Sequence, residues 1–193
     1  MKRLITILSV IAVLAIPAGS FAQASPYAWT ISASLGSPYV NTLGAAGIQH
    51  AYLWLACCQL PAGIPQGGSA AEFRLVATAP NLILGSSPVV GSGFLNAGTL
   101  DDLLLAMGGC PCGPIAGMDL TLFIQGPGTI SLAPSNRTPP RKVTVDCRAA
   151  PTTWPIDWIG LGIMGMAPPG KGLPCQFVSV EESTWGQIKG LYR

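Results

Sequence analysis

From Tyr27 to Met164, apolar residues alternate with polar ones or gather in short runs, and Gly- and Pro-rich breaks separate them every ten residues or so. That spacing is the pattern of an all-β sandwich or barrel. The candidate strands are Tyr27 to Leu35, Gln49 to Cys58, Ala70 to Ala77, Leu82 to Val90, Asp119 to Gln125, Thr129 to Ala133, Lys142 to Cys147 and Asp157 to Met164. Alternation is plainest at residues 72–76, 119–124 and 142–146, each stretch having one wet face and one dry face. Breaks such as residues 61–68 and Gly126-Pro127-Gly128 carry turn chemistry that a helix would not run through.

Two segments depart from this pattern. Thr99 can cap a helix with Asp101 and Asp102 in its first turn, a stripe of Leu100, Leu103, Leu104 and Met107, and Gly108-Gly109 to end it. A buried strand from Leu103 to Met107 competes with that reading, and periodicity alone does not separate the two in so short a run. At the end of the chain, Ser183 or Thr184 can cap a short helix in which Trp185, Ile188 and Leu191 or Tyr192 fall on one side. Residues 179–193 therefore read as a short amphipathic tail, either packed on the domain or recognised by another protein.

The first residues change the picture by fixing the compartment. Lys2 and Arg3 form a charged start, Leu4 to Ala15 an apolar run, and Ala22-Gln23-Ala24 a small-x-small cleavage site, the anatomy of a cleaved signal peptide at 1–24. The apolar run is about a dozen residues, short of the ~20 that span a bilayer. The expectation is a protein secreted, periplasmic or held at the cell surface, without a membrane span after cleavage. Residues 25–178 form one β-sandwich domain in this reading, and 179–193 the tail.

Two of the ten basic side chains and none of the eight acidic ones lie in the leader, so the mature chain carries eight of each. No strong field attracts nucleic acid. Charged residues are 9% of the chain, against ~25% in an ordinary soluble domain. A surface that neutral favours self-association.

All six cysteines, Cys57, Cys58, Cys110, Cys112, Cys147 and Cys175, follow the leader and would reach an oxidising compartment, which argues for disulfides. Fifteen pairings are formally possible and sequence alone does not choose among them; sequence neighbours make strained rings with each other, which directs each to a partner elsewhere, and the expectation adopted is Cys147 with Cys175 and the 57/58 pair with the 110/112 pair. The C-C and C-x-C spacings do not suit structural zinc, which favours pairs two to four residues apart, and no metal is expected.

Catalytic signatures are sparse. His50 is the only histidine, so a nucleophile-base site would have to be built on it, and no G-x-S-x-G elbow accompanies it. Eight carboxylates offer many pairs and nothing selects one. No cofactor and no catalytic residue are assigned. Trp154 and Trp158 offer a different chemistry: on one strand a spacing of four would put both rings on the same face, about 13 Å apart, as a stacking platform for sugars with Asp157 adding a hydrogen bond. Core packing is the competing role for those rings. Half of the mature chain's positive charge, Arg137, Arg141, Lys142 and Arg148, gathers around Pro139-Pro140, either a patch for an anionic polymer or a charged guard on a strand edge.

The order Tyr52-Leu53-Trp54-Leu55-Ala56-Cys57, a Gly/Pro loop, then Ser69-Ala70-Ala71-Glu72-Phe73-Arg74-Leu75 resembles the early strands of cohesin-like secreted β-sandwiches. The resemblance implies a cohesin-like or jelly-roll β-sandwich, a strand rather than a helix at 103–107, and binding rather than turnover. It transfers no functional residue to a numbered position, and the cysteines are additional to the usual pattern. Gly108-Gly109-Cys110-Pro111, Val145-Asp146-Cys147 and the Trp-Gly-Gln-Ile-Lys-Gly-Leu-Tyr tail are also similar to uncharacterised exported bacterial proteins. The reading is an all-β, disulfide-stapled sandwich with a short C-terminal helix, an exported non-catalytic binding or structural protein whose partner is a protein or glycan at the cell surface. A carbohydrate-binding module using Trp154 and Trp158 is the alternative, and a small hydrolase around His50 the third.

Overall fold

The computed structural model describes residues 25–57 and 67–170, with backbone only at 56 and 57. The leader, Cys58, Cys175 and the C-terminal tail lie outside the described residues. Thirteen strands are present and no helix among the described residues: β1 Tyr27–Ser32, β2 Thr42–Leu43, β3 Gly47–Cys57, β4 Gly68–Ala77, β5 Leu82–Pro88, β6 Phe94–Asn96, β7 Asp102–Met107, β8 Ile115–Ile124, β9 Gly128–Ala133, β10 Val143–Asp146, β11 Thr153–Pro155, β12 Asp157–Ile159 and β13 Leu161–Ile163. They form two sheets packed over one core. The first runs β12-β1-β3-β8-β5; the second runs β11-β10-β4-β9-β13-β2, with β7 on the free edge of β4 and β6 beyond it.

One edge of β4 carries β7, with Ala70 opposite Ala106 and Arg74 opposite Asp102. Its other edge is shared. β9 takes Arg74 to Ala77, ending with Ala133 opposite Arg74, and β10 resumes with Val143 opposite Glu72. Residues 134–142 thus leave that edge and rejoin it two positions along.

Alternation selects the core. Phe73 and Leu75 of β4, Leu103, Leu105 and Met107 of β7, Leu120, Leu122 and Ile124 of β8, and Leu53 and Leu55 of β3 all point inward and are buried. Trp29 sits among them, fully buried, its ring 5.1 Å from that of Phe73 and 6.1 Å edge-on from that of Phe94. Its indole Nε1 donates to Thr144 Oγ1 at 2.9 Å, a hydrogen bond that crosses from one sheet to the other. β10 is consequently inverted with respect to its hydrophobicity: Thr144 and Asp146 are buried, while Val143 and Val145 are half-exposed. A buried indole N–H without an acceptor is expensive, and Thr144 supplies that acceptor.

Residues 102–107 are a strand, as the family resemblance implied and against the local helix signals. Thr99 Oγ1 does accept the Asp102 N–H at 3.2 Å, as a helix cap would. Asn96 Oδ1 meanwhile takes the N–H groups of Gly98 and Leu104, closing a hairpin between β6 and β7. The same side-chain chemistry serves a cap or a turn, and the open edge of β4 decides for the strand.

The stretch Asp157 to Met164 is two strands in different sheets, not one. The break falls at Gly160, where a Cβ would strike the Ile130 carbonyl oxygen, and at Gly162 a Cβ would strike that of Met166. Only glycine lets the backbones approach this closely.

Candidate functional site

The outer face of the five-stranded sheet is open only in part. Residues 33–41 fold over β1: Thr30 Oγ1 donates to the Pro38 carbonyl and Ser32 Oγ to that of Ser37, and Trp54 Nε1 reaches the Ser34 carbonyl, so Thr30, Ser32 and Trp54 are buried. What stays open is the face of β3, β8 and β5, and strand register arranges it in three rows. Ile48, Phe123 and Leu82 form the first, His50, Thr121 and Gly85 the second, and Tyr52, Asp119 and Ser87 the third. A bulge between Ile83 and Gly85 leaves Leu84 extra, beside the first row.

The first row is apolar and exposed: Ile48 at 65%, Leu82 at 51%, Leu84 at 49% and Phe123 at 36%. Side chains in register across neighbouring strands touch or nearly touch, so these make one strip rather than scattered residues. Beside it, His50 Nδ1 lies 2.8 Å from Asp119 Oδ1, a diagonal cross-strand pair.

A carboxylate on Nδ1 turns Nε2 outward, the orientation a general base needs. Turnover further requires a hydroxyl or thiol in line with that nitrogen and donors for a developing oxyanion. Thr121, Ser87 and Tyr52 share the two polar rows, yet none of them hydrogen-bonds the imidazole, and the pair stands on an open sheet surface with His50 55% exposed. Among the described residues no group of three or more His, Cys, Asp or Glu side chains is placed to hold a metal ion.

Trp154, Asp157 and Trp158 do not share a strand. Trp154 is in β11 of the larger sheet and Trp158 in β12 of the smaller, the chain changing sheets between them at Ile156. The 13 Å platform expected from a single strand is therefore not formed. Trp154 is buried in the core, its Nε1 donating to Asp146 Oδ2 at 3.0 Å. Trp158 is half-buried, with the Lys142 ammonium 5.1 Å from its ring centre. Asp157, opposite Ala28 on β1, is half-buried.

Asp146 organises this corner. Its fully buried carboxylate accepts from Arg148 Nε and Nη2, both at 2.7 Å, from Trp154 Nε1, and from the backbone N–H groups of Thr152 and Arg148. Burial alone would push its pKa up. The Arg148 and Trp154 donors and the two backbone N–H groups overcome that and hold it at about 2, below the usual 3.8.

The adjacent Cys147 is bonded to Cys110, with Cα atoms 6.0 Å apart. This bond corrects both expectations, since Cys147 does not join Cys175 and Cys110 does not join Cys57 or Cys58: β10 ends beside the β7–β8 loop, and that proximity, set by tertiary structure, chooses the partner. Cys112 is also disulfide-bonded, while the side chains of Cys57, Cys58 and Cys175 lie outside the described residues.

The basic cluster is dispersed into local partners. Arg137 Nε lies 3.9 Å from both Glu72 and Asp102 carboxylates, Arg148 pairs with Asp146, and Lys142 lies over Trp158. Gly160-Leu161-Gly162-Ile163-Met164-Gly165 has the spacing of a dinucleotide-binding loop. It runs through β13 into a turn with no helix following among the described residues, and backbone crowding accounts for its first two glycines.

No family model matches the chain, and no curated protein matches it. Solved structures do, among them three cohesin modules. The seventh ScaB type I cohesin from Pseudobacteroides cellulosolvens aligns with a TM-score of 0.48 and 10% identity, over 76% of this chain and 97% of that one. The chain resembles cohesin modules. The sixth cohesin of scaffoldin B from Acetivibrio cellulolyticus, solved in complex with a Cel5 dockerin, aligns at TM-score 0.46 and 12% identity, over 72% and 98%. The cohesin module of a family 33 glycoside hydrolase from Clostridium perfringens aligns at 0.39 and 12%, over 69% and 98%.

Proposed function

We propose that this chain is an exported, non-catalytic protein-binding module, its leader removed after Ala24, residues 25–178 forming the domain and 179–193 a tail. One observation carries the reading: the continuous apolar strip Ile48–Phe123–Leu82 with Leu84, exposed on the open sheet face and bordered by the His50–Asp119 pair. Exposed apolar residues in a contiguous patch mark a surface that another macromolecule covers. Each of these half-exposed side chains gains about 1 kcal/mol when a partner completes its burial. The His50–Asp119 pair adds orientation, since a partner can hydrogen-bond either group beside the strip.

The test places a photo-crosslinking amino acid at position 48 in the protein expressed by its native cells, with position 90 as the control because Val90 is fully exposed away from the strip. A discrete protein adduct from position 48, weakened by Phe123→Asp and absent from position 90, is the expected result. Equal labelling from both positions, or none from position 48, overturns the reading. Amino-terminal sequencing of the same material must begin at Ser25; an intact leader removes the export half of the proposal.

A further inference from the structure

We infer that the tail docks on its own domain: residues 183–193 lie as a short helix in a trough on the outer face of the larger sheet, tethered there through Cys175. Register builds the trough. Leu95 of β6 stands opposite Ala106 of β7, Ala106 opposite Ala70 of β4, and Ala70 opposite Val145 of β10, all four side chains turned away from the core. Two alanines thus form a floor between an exposed leucine and a half-exposed valine. Three strand spacings separate those walls, about 14 Å, which admits a helix about 10 Å across. One row further the floor ends at Glu72 and Leu104, where Arg137 Nε lies 3.9 Å from the Glu72 and Asp102 carboxylates. From the level of Gly68 to that barrier is four residues of strand, about 13 Å, the length of a helix of about nine residues. Residues 184–192 have that length.

The open mouth of the trough is where the cysteines gather, and this identifies the occupant. Val145 is followed two positions on by Cys147, which is bonded to Cys110 in the loop after β7. In that loop Pro111 accepts the Gly68 N–H, and Tyr27, opposite Cys57 at the end of β3, donates through its hydroxyl to the Gly67 carbonyl. With Cys110 and Cys147 joined, and Cys112 bonded as well, the set left to pair is Cys57, Cys58, Cys112 and Cys175. Every one of its three connectivities ties Cys175 to this end of the sandwich. That step rests on the exported, oxidised state proposed above. Residues 176–182 then reach at most about 25 Å from the anchor, ample for entering the adjoining trough. The apolar strip of the other sheet begins at Ile48, nine positions back along β3 from Cys57 and about 30 Å away, past the full stretch of that linker. The tail supplies the matching surface: Trp185, Ile188 and Leu191 or Tyr192 fall on one side of a helix. Gly186 and Gly190 make that helix marginal alone, so it orders where an apolar floor covers the stripe.

Photo-crosslinking of the mature, oxidised chain tests the docking. With benzoylphenylalanine in place of Ile188, irradiation of a dilute sample should give intramolecular adducts on the peptides that hold Leu95, Ala106, Ala70 or Val145. The same probe in place of Val90 should give none there. Limited trypsinolysis supplies a second reading: cleavage after Lys189 should be slow in the unaltered chain and about tenfold faster in Ala106→Glu, which sets a charge beneath the apolar stripe. Val90→Glu should leave that rate unchanged. Because a sheet variant could lose its fold, the crosslinking leaves the sheet unaltered. Adducts confined to the Ile48–Phe123–Leu82 strip, adducts to a second copy or another chain, no adduct at all, or equal cleavage of a folded Ala106→Glu overturns the inference. Peptide mapping without reduction separates this from the proposed function. A free Cys175 thiol would remove the tether and the oxidised export together, whereas a bonded Cys175 without trough adducts would remove the docking and leave the binding module standing.

Discussion

Acidification should unfasten the corner around Asp146 before anything else in the core. Its carboxylate is buried and receives five hydrogen bonds, three to Oδ2 from Arg148 and Trp154 and two to Oδ1 from backbone. With a folded pKa of about 2 against the usual 3.8, the ionised group contributes on the order of 2 kcal/mol to stability. A carboxyl whose pKa is depressed in the folded state makes its full contribution above its unfolded value, and that contribution disappears as the pH falls from about 4 to about 2. Asp146→Asn keeps the shape and removes the charge. Urea denaturation of the oxidised wild type and variant should show the variant less stable at pH 7, with the difference shrinking by about 2 kcal/mol near pH 2, where the wild-type carboxyl takes up its proton. A stability difference unchanged between those two conditions would refute the reasoning, because it would mean that ionisation of Asp146 contributes nothing to the stability of the fold.

Three further outcomes follow from the packing. Thr144→Val leaves the indole N–H of the fully buried Trp29 without its acceptor, and chemical denaturation should register a loss of about 1–3 kcal/mol. Replacing Cys110 and Cys147 together by Ala opens a link between residues 37 apart, and the same measurement should show a loss of about 4 kcal/mol from chain entropy, while little or no change would show that neighbouring crosslinks already restrain that loop. Gly117→Ala places a methyl group against the ring of Phe94, whose edge meets Trp29; thermal unfolding should show a loss of about 1–3 kcal/mol, and Phe94→Leu in the same chain should recover part of it.

The strands with clean alternation were legible because side-chain period and burial coincide: β4, β8 and β9 fall within a few residues of their expected bounds. β2, β6 and β11, two or three residues each, are too short for any period to show. β10 misleads, since its valines point outward and its Thr144 and Asp146 inward, to partners distant in sequence or built by the following loop. The same holds for the site. His50 was visible as the sole histidine, but Asp119 lies 69 positions away and is joined to it only by the pairing of β3 with β8. The apolar strip hides in strands whose inner faces are also apolar, so only register separates Ile48, Phe123 and Leu82 from the core. Trp154 and Trp158 read as neighbours because the change of sheet at Ile156 leaves no compositional mark.

The shared edge of β4 has a consequence for engineering. Ala133 and Val143 are moored to Arg74 and Glu72, two positions along one strand and so about 7 Å apart, whatever the chain does between them. Closing a longer segment between fixed moorings adds only about 0.6 kcal/mol for each doubling of its length. Residues 134–142 are thus a natural port for grafted epitopes, reporter peptides or whole inserted domains, and the sandwich can carry such cargo while its ladder stays in register.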